Sequence, residues 1–227
     1  GVTLVGDQEE DYLGLRGVTA LGNNNFVIAS SYDDVNSVED AGSVMLVSGT
    51  TGLQIGVTLV GDQENDGLGY SGVTALGNNN FVVSSSDDND KVDGNDKAGS
   101  VMLVSGATGL QIGVTLVGDQ EGDFLGISGV TALGNNHFVI ASPFDKVDGN
   151  EDAGSVMLVS GATGALIKTL VGDQEDDYLG ISGVTALGNN NFVIASANDN
   201  DNVGGNDNAG SVMLVSGTTG LQIGVTL

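Results

Sequence analysis

Apolar residues come in short runs along this chain, each bounded by glycine, asparagine or aspartate. GVTAL (17–21), NFVIAS (25–30), SVMLVS (43–48) and LQIGVTLV (53–60) are rich in β-branched residues and too short for helices. They predict strands near residues 16–21, 25–30, 42–48 and 53–60, with GNN and GTTG as the glycine- and asparagine-led turns between them. Val44 and Leu46 fall on one strand face, Met45 and Val47 on the other; Phe26 and Ile28 likewise oppose Val27 and Ala29. Strands that are apolar on both faces need cover on both sides. With no sustained helical periodicity to supply helices, the sheets must cover one another. The expected fold is therefore all-β: tandem four-stranded antiparallel meander blades, β-propeller-like, in a closed ring or an open array.

The same pattern recurs four times. GVTALGNN begins at Gly17, Gly72, Gly129 and Gly183, at nearly even intervals, and AGSVMLVSG and LVGDQE follow in the same order. One repeat array accounts for residues 1–227, with units of about 1–55, 56–112, 113–166 and 167–223 and the start of a fifth. GVTL stands at both ends, the pattern expected of a window on a longer array whose secretion signal lies upstream.

Charge changes the picture more than bulk composition does. All 30 acidic residues lie in two loop classes: 14 in GDQEEDYLG and its copies, 16 in SYDDVNSVED and its copies. In a meander, alternate connections share an edge, so each unit should have one acidic rim and one rim without formal charge. A net charge of −25 on one side repels phosphate, which excludes nucleic acid as a partner and disfavours anionic lipid. No apolar run is long enough to cross a bilayer as a helix, so no membrane-inserting helix is expected. Absence of cysteine removes disulfides and thiolate metal sites.

The motif order GDQ, YLG, GVTALGN, FVIAS, acidic loop, AGSVMLVS resembles the FG-GAP-like tandem repeats of large bacterial surface and haemagglutinin-like proteins, and more distantly the propeller blades of integrin α-chains. Tyr12–Leu13–Gly14 and Phe124–Leu125–Gly126 stand for FG, and Ile140–Ala141–Ser142–Pro143 for GAP. The resemblance implies propeller-type blades and an extracellular or cell-surface location. The calcium loop of that family is replaced here by GNNN or GNNH, so its metal site does not carry over.

The acidic rim suits a solvated surface, a cationic partner or a divalent cation. Asp88, Asp90 and Asp93 in DDNDKVDGND come nearest to a calcium loop and are the metal candidates, with calcium the cofactor they would take. The loops that contain their equivalents span 31–40, 86–97, 143–152 and 197–208, two alternating lengths, so the spacing is not strictly repeated. GDQE followed by Asp11, Asp66, Asp123 or Asp177 is more regular, and its simplest role is turn chemistry, with Asp7 and its copies bonding nearby amides. Tyr12, Phe124 and Tyr178 are expected to pack between sheets. His137, the only histidine, replaces a hairpin-tip asparagine, which leaves no histidine-based nucleophile or metal centre. The reading is a non-enzymatic structural repeat protein, its partners copies of itself or neighbouring repeats. The alternative is a multivalent adhesin or carbohydrate-binding propeller, using the acidic loop edge on glycans or cationic surfaces.

Overall fold

The computed structural model describes residues 3–6, 8–89, 96–199 and 208–226. Its strands are β1 (Val18–Ala20), β2 (Asn25–Ser30), β3 (Ser43–Ser48), β4 (Leu59–Val60), β5 (Gly72–Ala75), β6 (Phe81–Ser85), β7 (Ser100–Val104) and β8 (Leu116–Val117). The second half contains β9 (Val130–Ala132), β10 (His137–Ser142), β11 (Ser155–Ser160), β12 (Leu166–Val171), β13 (Val184–Ala186), β14 (Phe192–Ser196) and β15 (Ser211–Val215). They form three four-stranded antiparallel meanders and a fourth sheet, β13–β14–β15. Among the described residues no helix is long and apolar enough to cross a membrane.

Hairpin chemistry sets the first turn of each blade. Asn24, Asn79, Asn136 and Asn190 all adopt positive φ, between 64° and 67°, a conformation that asparagine tolerates better than most residues. The fourth strand departs from expectation. Instead of one strand over 53–60, Gln54 makes an isolated bridge to Val47, the chain bends at Gly56 (φ 72°), and pairing resumes only at Leu59 opposite Val44. The stretch from Gln54 to Leu59 thus faces the shorter stretch from Val47 to Val44, and the excess is taken up as a bulge. In the third unit GALIKTL is one residue shorter than GLQIGVTL, and there β12 runs unbroken from Leu166 to Val171 with a single register shift.

Each sheet presents different faces to its two neighbours. Leu21, Val27, Ala29, Val44 and Leu46 of the first blade meet Leu68, Phe81, Val83 and Val104 of the second. Leu76, Val82, Val101 and Leu103 meet Leu125, Phe138, Ile140 and Val159, and the third and fourth blades repeat the contact. Gly69, at the end of the second unit's GLG, allows the close approach. A Cβ there would lie 3.0 Å from Ala29 Cβ and 3.2 Å from Val44 Cγ2, and its φ is +84°.

Two ladders of hydrogen bonds reinforce these contacts. Thr19, Thr74 and Thr131 each donate through Oγ1 to a carbonyl in the next blade, that of Val73, Val130 and Val184 (3.0–3.2 Å). On the uncharged rim, Asn23 and Asn25 both donate to the carbonyl of Gly106, and Asn78 and Asn80 to that of Gly161. His137 occupies the position of Asn25 in the third blade. Its Nδ1–H donates to the Gly217 carbonyl at 2.8 Å, so the substitution keeps the bond. No hydrophobic cluster among the described residues joins the fourth blade to the first.

The acidic connections do share the opposite rim. Asn65 and Gly67 of one GDQ loop donate backbone N–H to the carbonyls of Glu39 and Asp40 in the preceding acidic loop (both 3.0 Å). Tyr12, Phe124 and Tyr178 lie on this rim rather than between sheets. Tyr32 meets Tyr12 and Tyr70 edge-on, with ring centroids 6.2 and 6.3 Å apart, and Phe144 meets Phe124 and Tyr178 at 5.8 and 5.9 Å. Arg16 stacks over Tyr70, with its guanidinium carbon 4.0 Å from the ring centre.

Candidate metal centre

The GDQ turn is built around its second aspartate. Gly118 opens it, since a Cβ there would run into the Ala98 carbonyl oxygen, and a side chain at Gly61 or Gly172 would meet the equivalent obstacle. Asp123 then folds back, and its Oδ2 accepts the Gln120 N–H at 2.8 Å. Asp11 accepts from Gln8 (2.7 Å), Asp66 from Asp62 and Gln63 (2.9 and 2.6 Å), and Asp177 from Asp173 and Gln174 (3.0 and 2.8 Å). In the second, third and fourth units the amide-bonding role expected of the first aspartate therefore belongs to the second, whereas Asp7 lies outside the described residues. Asp11, Asp66, Asp123 and Asp177 are all buried. Turn formation uses one oxygen of each; the Oδ1 of Asp11 is buried with no hydrogen-bond partner.

A third aspartate comes from the connection between the second and third strands. Asp33, Asp88, Asp145 and Asp199 share one backbone arrangement. Each N–H donates to the carbonyl of the serine that ends the preceding strand, and each carbonyl accepts from the glycine of AGS (2.9–3.2 Å). The side chains of Asp88 and Asp199 accept hydrogen bonds from Ser100 and Ser211. The difference in loop length therefore falls after this aspartate, and the path up to it is the same in every unit.

In the third unit these elements bring Asp119, Asp123 and Asp145 together, with one carboxylate oxygen from each within 4.8 Å of the others. They line a cleft of about 440 Å³ with Ser142 and Lys146. Lys146 forms an ion pair with Glu151. Burial, and then the charges of Asp145 and Asp119, push the Asp123 carboxyl up to about 7 against the opposing Gln120 amide. Asp145 is raised by burial and by Asp119, with the Ser155 hydroxyl working the other way. Burial also raises Asp66 in the second unit, with the amides of Gln63, Asn89 and Asp62 opposing. Asp11 lines a counterpart cleft of about 390 Å³ with Asp33, Ser30 and Ser43.

Of the sequence candidates, Asp88 is the counterpart of Asp145, whereas Asp90 and Asp93 lie outside the described residues. Sequence reasoning missed Asp119, Asp123 and Asp145 as a set. The signal was present: each unit places aspartates at 7, 11 and 33, at 62, 66 and 88, at 119, 123 and 145, or at 173, 177 and 199. The internal spacing of these four triads is identical.

A family described as "Repeat of unknown function (DUF5650)" matches residues 20–70, 75–127, 132–181 and 186–226. The chain belongs to this family. Each DUF5650 match begins at the last residue of a blade's first strand, so a repeat spans the rest of one blade and the loop region leading into the next. The aspartate triad accordingly draws Asp119 and Asp123 from one DUF5650 repeat and Asp145 from its successor. No curated protein matches the chain. Among solved structures, a chain in "Complex of KlAtg21 with coiled-coil of AgAtg16" is similar at 11% identity and a TM-score of 0.46. That alignment covers 92% of this chain and 54% of the other, so this chain spans about half the length of the solved one.

Proposed function

We propose that this chain is a non-catalytic segment of an extended extracellular or cell-surface array of DUF5650 repeats, in which blade-on-blade stacking is itself the function. The observation behind this is the outward face of the fourth blade. Val212 is 42% exposed, whereas its counterparts Val44, Val101 and Val156 are 1% exposed beneath the next blade. Leu187 is 37% exposed against 3–6% for Leu21, Leu76 and Leu133. This face has the composition of a blade–blade core, and its natural occupant is the Phe-and-Val face of a further blade of the same type. The resemblance to FG-GAP-like surface repeats supports the location. Use of the single histidine in an inter-blade hydrogen bond supports a non-enzymatic role.

Sedimentation velocity over a concentration series tests this. Head-to-tail association that strengthens with concentration, and that Val212→Glu weakens at least tenfold, is the expected result. A compact monomer at every concentration, unaffected by that substitution, overturns it.

A second reading, a multivalent glycan-binding adhesin, has its own observation. Gly67 replaces the rim aromatic of the other units, and a cleft of about 460 Å³ there is lined by the touching pair Tyr32 and Tyr70 together with Asp40 and Asp87. Aromatic faces beside acidic acceptors are suited to sugars. Glycan-array binding lost in Tyr70→Ala would favour this reading.

A further inference from the structure

We propose that Asp119, Asp123 and Asp145, at the junction between two successive repeats in the third unit, form a calcium-class cation site. Three observations converge on it. The first is geometric: three carboxylate oxygens from two separate loops lie within 4.8 Å of one another. That spread is close to twice a calcium–oxygen distance of about 2.3–2.6 Å, so a shift of a few tenths of an ångström in the side chains lets one ion touch all three.

The second observation lies in a different unit. Asp11 is 5% exposed, its Oδ2 is engaged by Gln8, and its Oδ1 has no hydrogen-bond partner. A buried carboxylate oxygen left unpaired is costly, and burial next to Asp33 in the same cleft makes it more so. A cation in that cleft removes the cost. A proton donor would serve the same end, but none among the described residues bonds that atom, and the Ser30 hydroxyl in the same cleft is likewise buried without a partner.

The third observation is repetition. The spacing of the three aspartates holds in all four units, although the acidic loop changes length just beyond the third of them. Turn formation accounts for the second aspartate alone. It does not account for the first, which is exposed at Asp62, Asp119 and Asp173. All-oxygen donors select hard cations over zinc or copper. Flexible loop carboxylates that leave room for water and carbonyl ligands favour calcium over the smaller, strictly octahedral magnesium.

The site differs in place from the calcium loop of FG-GAP repeats, which would lie between the first two strands. It is also independent of whether the array is open or closed. Because the site takes its ligands from two successive repeats, a bound ion cross-links them.

Isothermal titration of the chelator-treated chain with calcium chloride, and separately with magnesium chloride, tests the proposal. About one equivalent of calcium is expected, at a dissociation constant of roughly 10⁻⁴–10⁻³ M, with magnesium at least tenfold weaker. Asp119→Asn, at an exposed position that does not close the turn, should abolish it. Glu121→Gln changes the same rim charge outside the triad and should remove none. Circular dichroism confirms that each variant is folded. Loss of the same amount of binding in Asp119→Asn and Glu121→Gln, or heats that sodium chloride reproduces at matched ionic strength, overturns the site and leaves only diffuse charge.

Discussion

Asp123 shows how much one carboxyl can be asked to do. It closes the GDQ turn, is buried, and stands beside Asp119 and Asp145, with Lys146 the only basic residue lining the cleft. Its native pKa of about 7 lies above the ordinary value of 3.8, so folding favours the protonated form. The stability this contributes is fully present below about pH 4 and is lost as pH rises through 7. In chelator, the melting temperature should therefore fall between pH 5 and pH 8, and Asp123→Asn should flatten that fall by roughly 5 °C. A slope unchanged by the substitution would assign the effect to general charge repulsion. The residue scale is also where the sequence is hardest to read. GDQ is a visible turn, but nothing in a linear string tells which of its two aspartates turns back onto the amides. The third member, such as Asp145, stands a whole hairpin further along, at the start of a loop whose variable length hides its constancy. His137, by contrast, can be placed from its position alone, since the imidazole inherits the bond of an asparagine.

At the scale of elements, alternation decides most of the outcome. Val27 and Ala29 pack toward the second blade while Phe26 and Ile28 turn away from it, as the strand pattern requires, and three meanders are complete. The fourth strand is harder, because LQIGVTLV reads as one apolar run. Gly56, at a φ of 72°, breaks it, and only the shorter GALIKTL forms a continuous strand. Equivalent elements are not equally buried, which gives a graded test. Phe138 is sealed against the second blade, whereas Phe26 faces outward from the first and is only half-buried. Phe138→Ala should cost about 3–5 kcal/mol and Phe26→Ala about half as much, measured by urea denaturation. Equal losses would mean that the first blade is covered as fully as the third.

For the whole molecule, stability is a sum of blades and the contacts between neighbours. The second and third blades are clasped on both faces, and the fourth on one. Amide hydrogen exchange should accordingly be slowest in β6, β7, β10 and β11 and faster in β14 and β15 by at least tenfold. Uniform protection would imply a single cooperative unit in which the exposed Val212 face is already satisfied. Calcium, if it bridges repeats, should slow exchange in the GDQ loops before it slows exchange in the strands.

The hydrogen bonds on the uncharged rim all run one way. The asparagines of a blade donate, and the glycine carbonyl of the following blade accepts. A stack built on such bonds has a donor end and an acceptor end, as a filament has a plus and a minus. Two stacks brought together donor end to donor end would lack the glycine carbonyls that accept these N–H groups within a stack. Growth, capping and any pull along the axis are therefore vectorial. A terminator need satisfy only one chemistry, offering carbonyls to the open asparagines or amides to the open glycine, and a different molecule is required at each end.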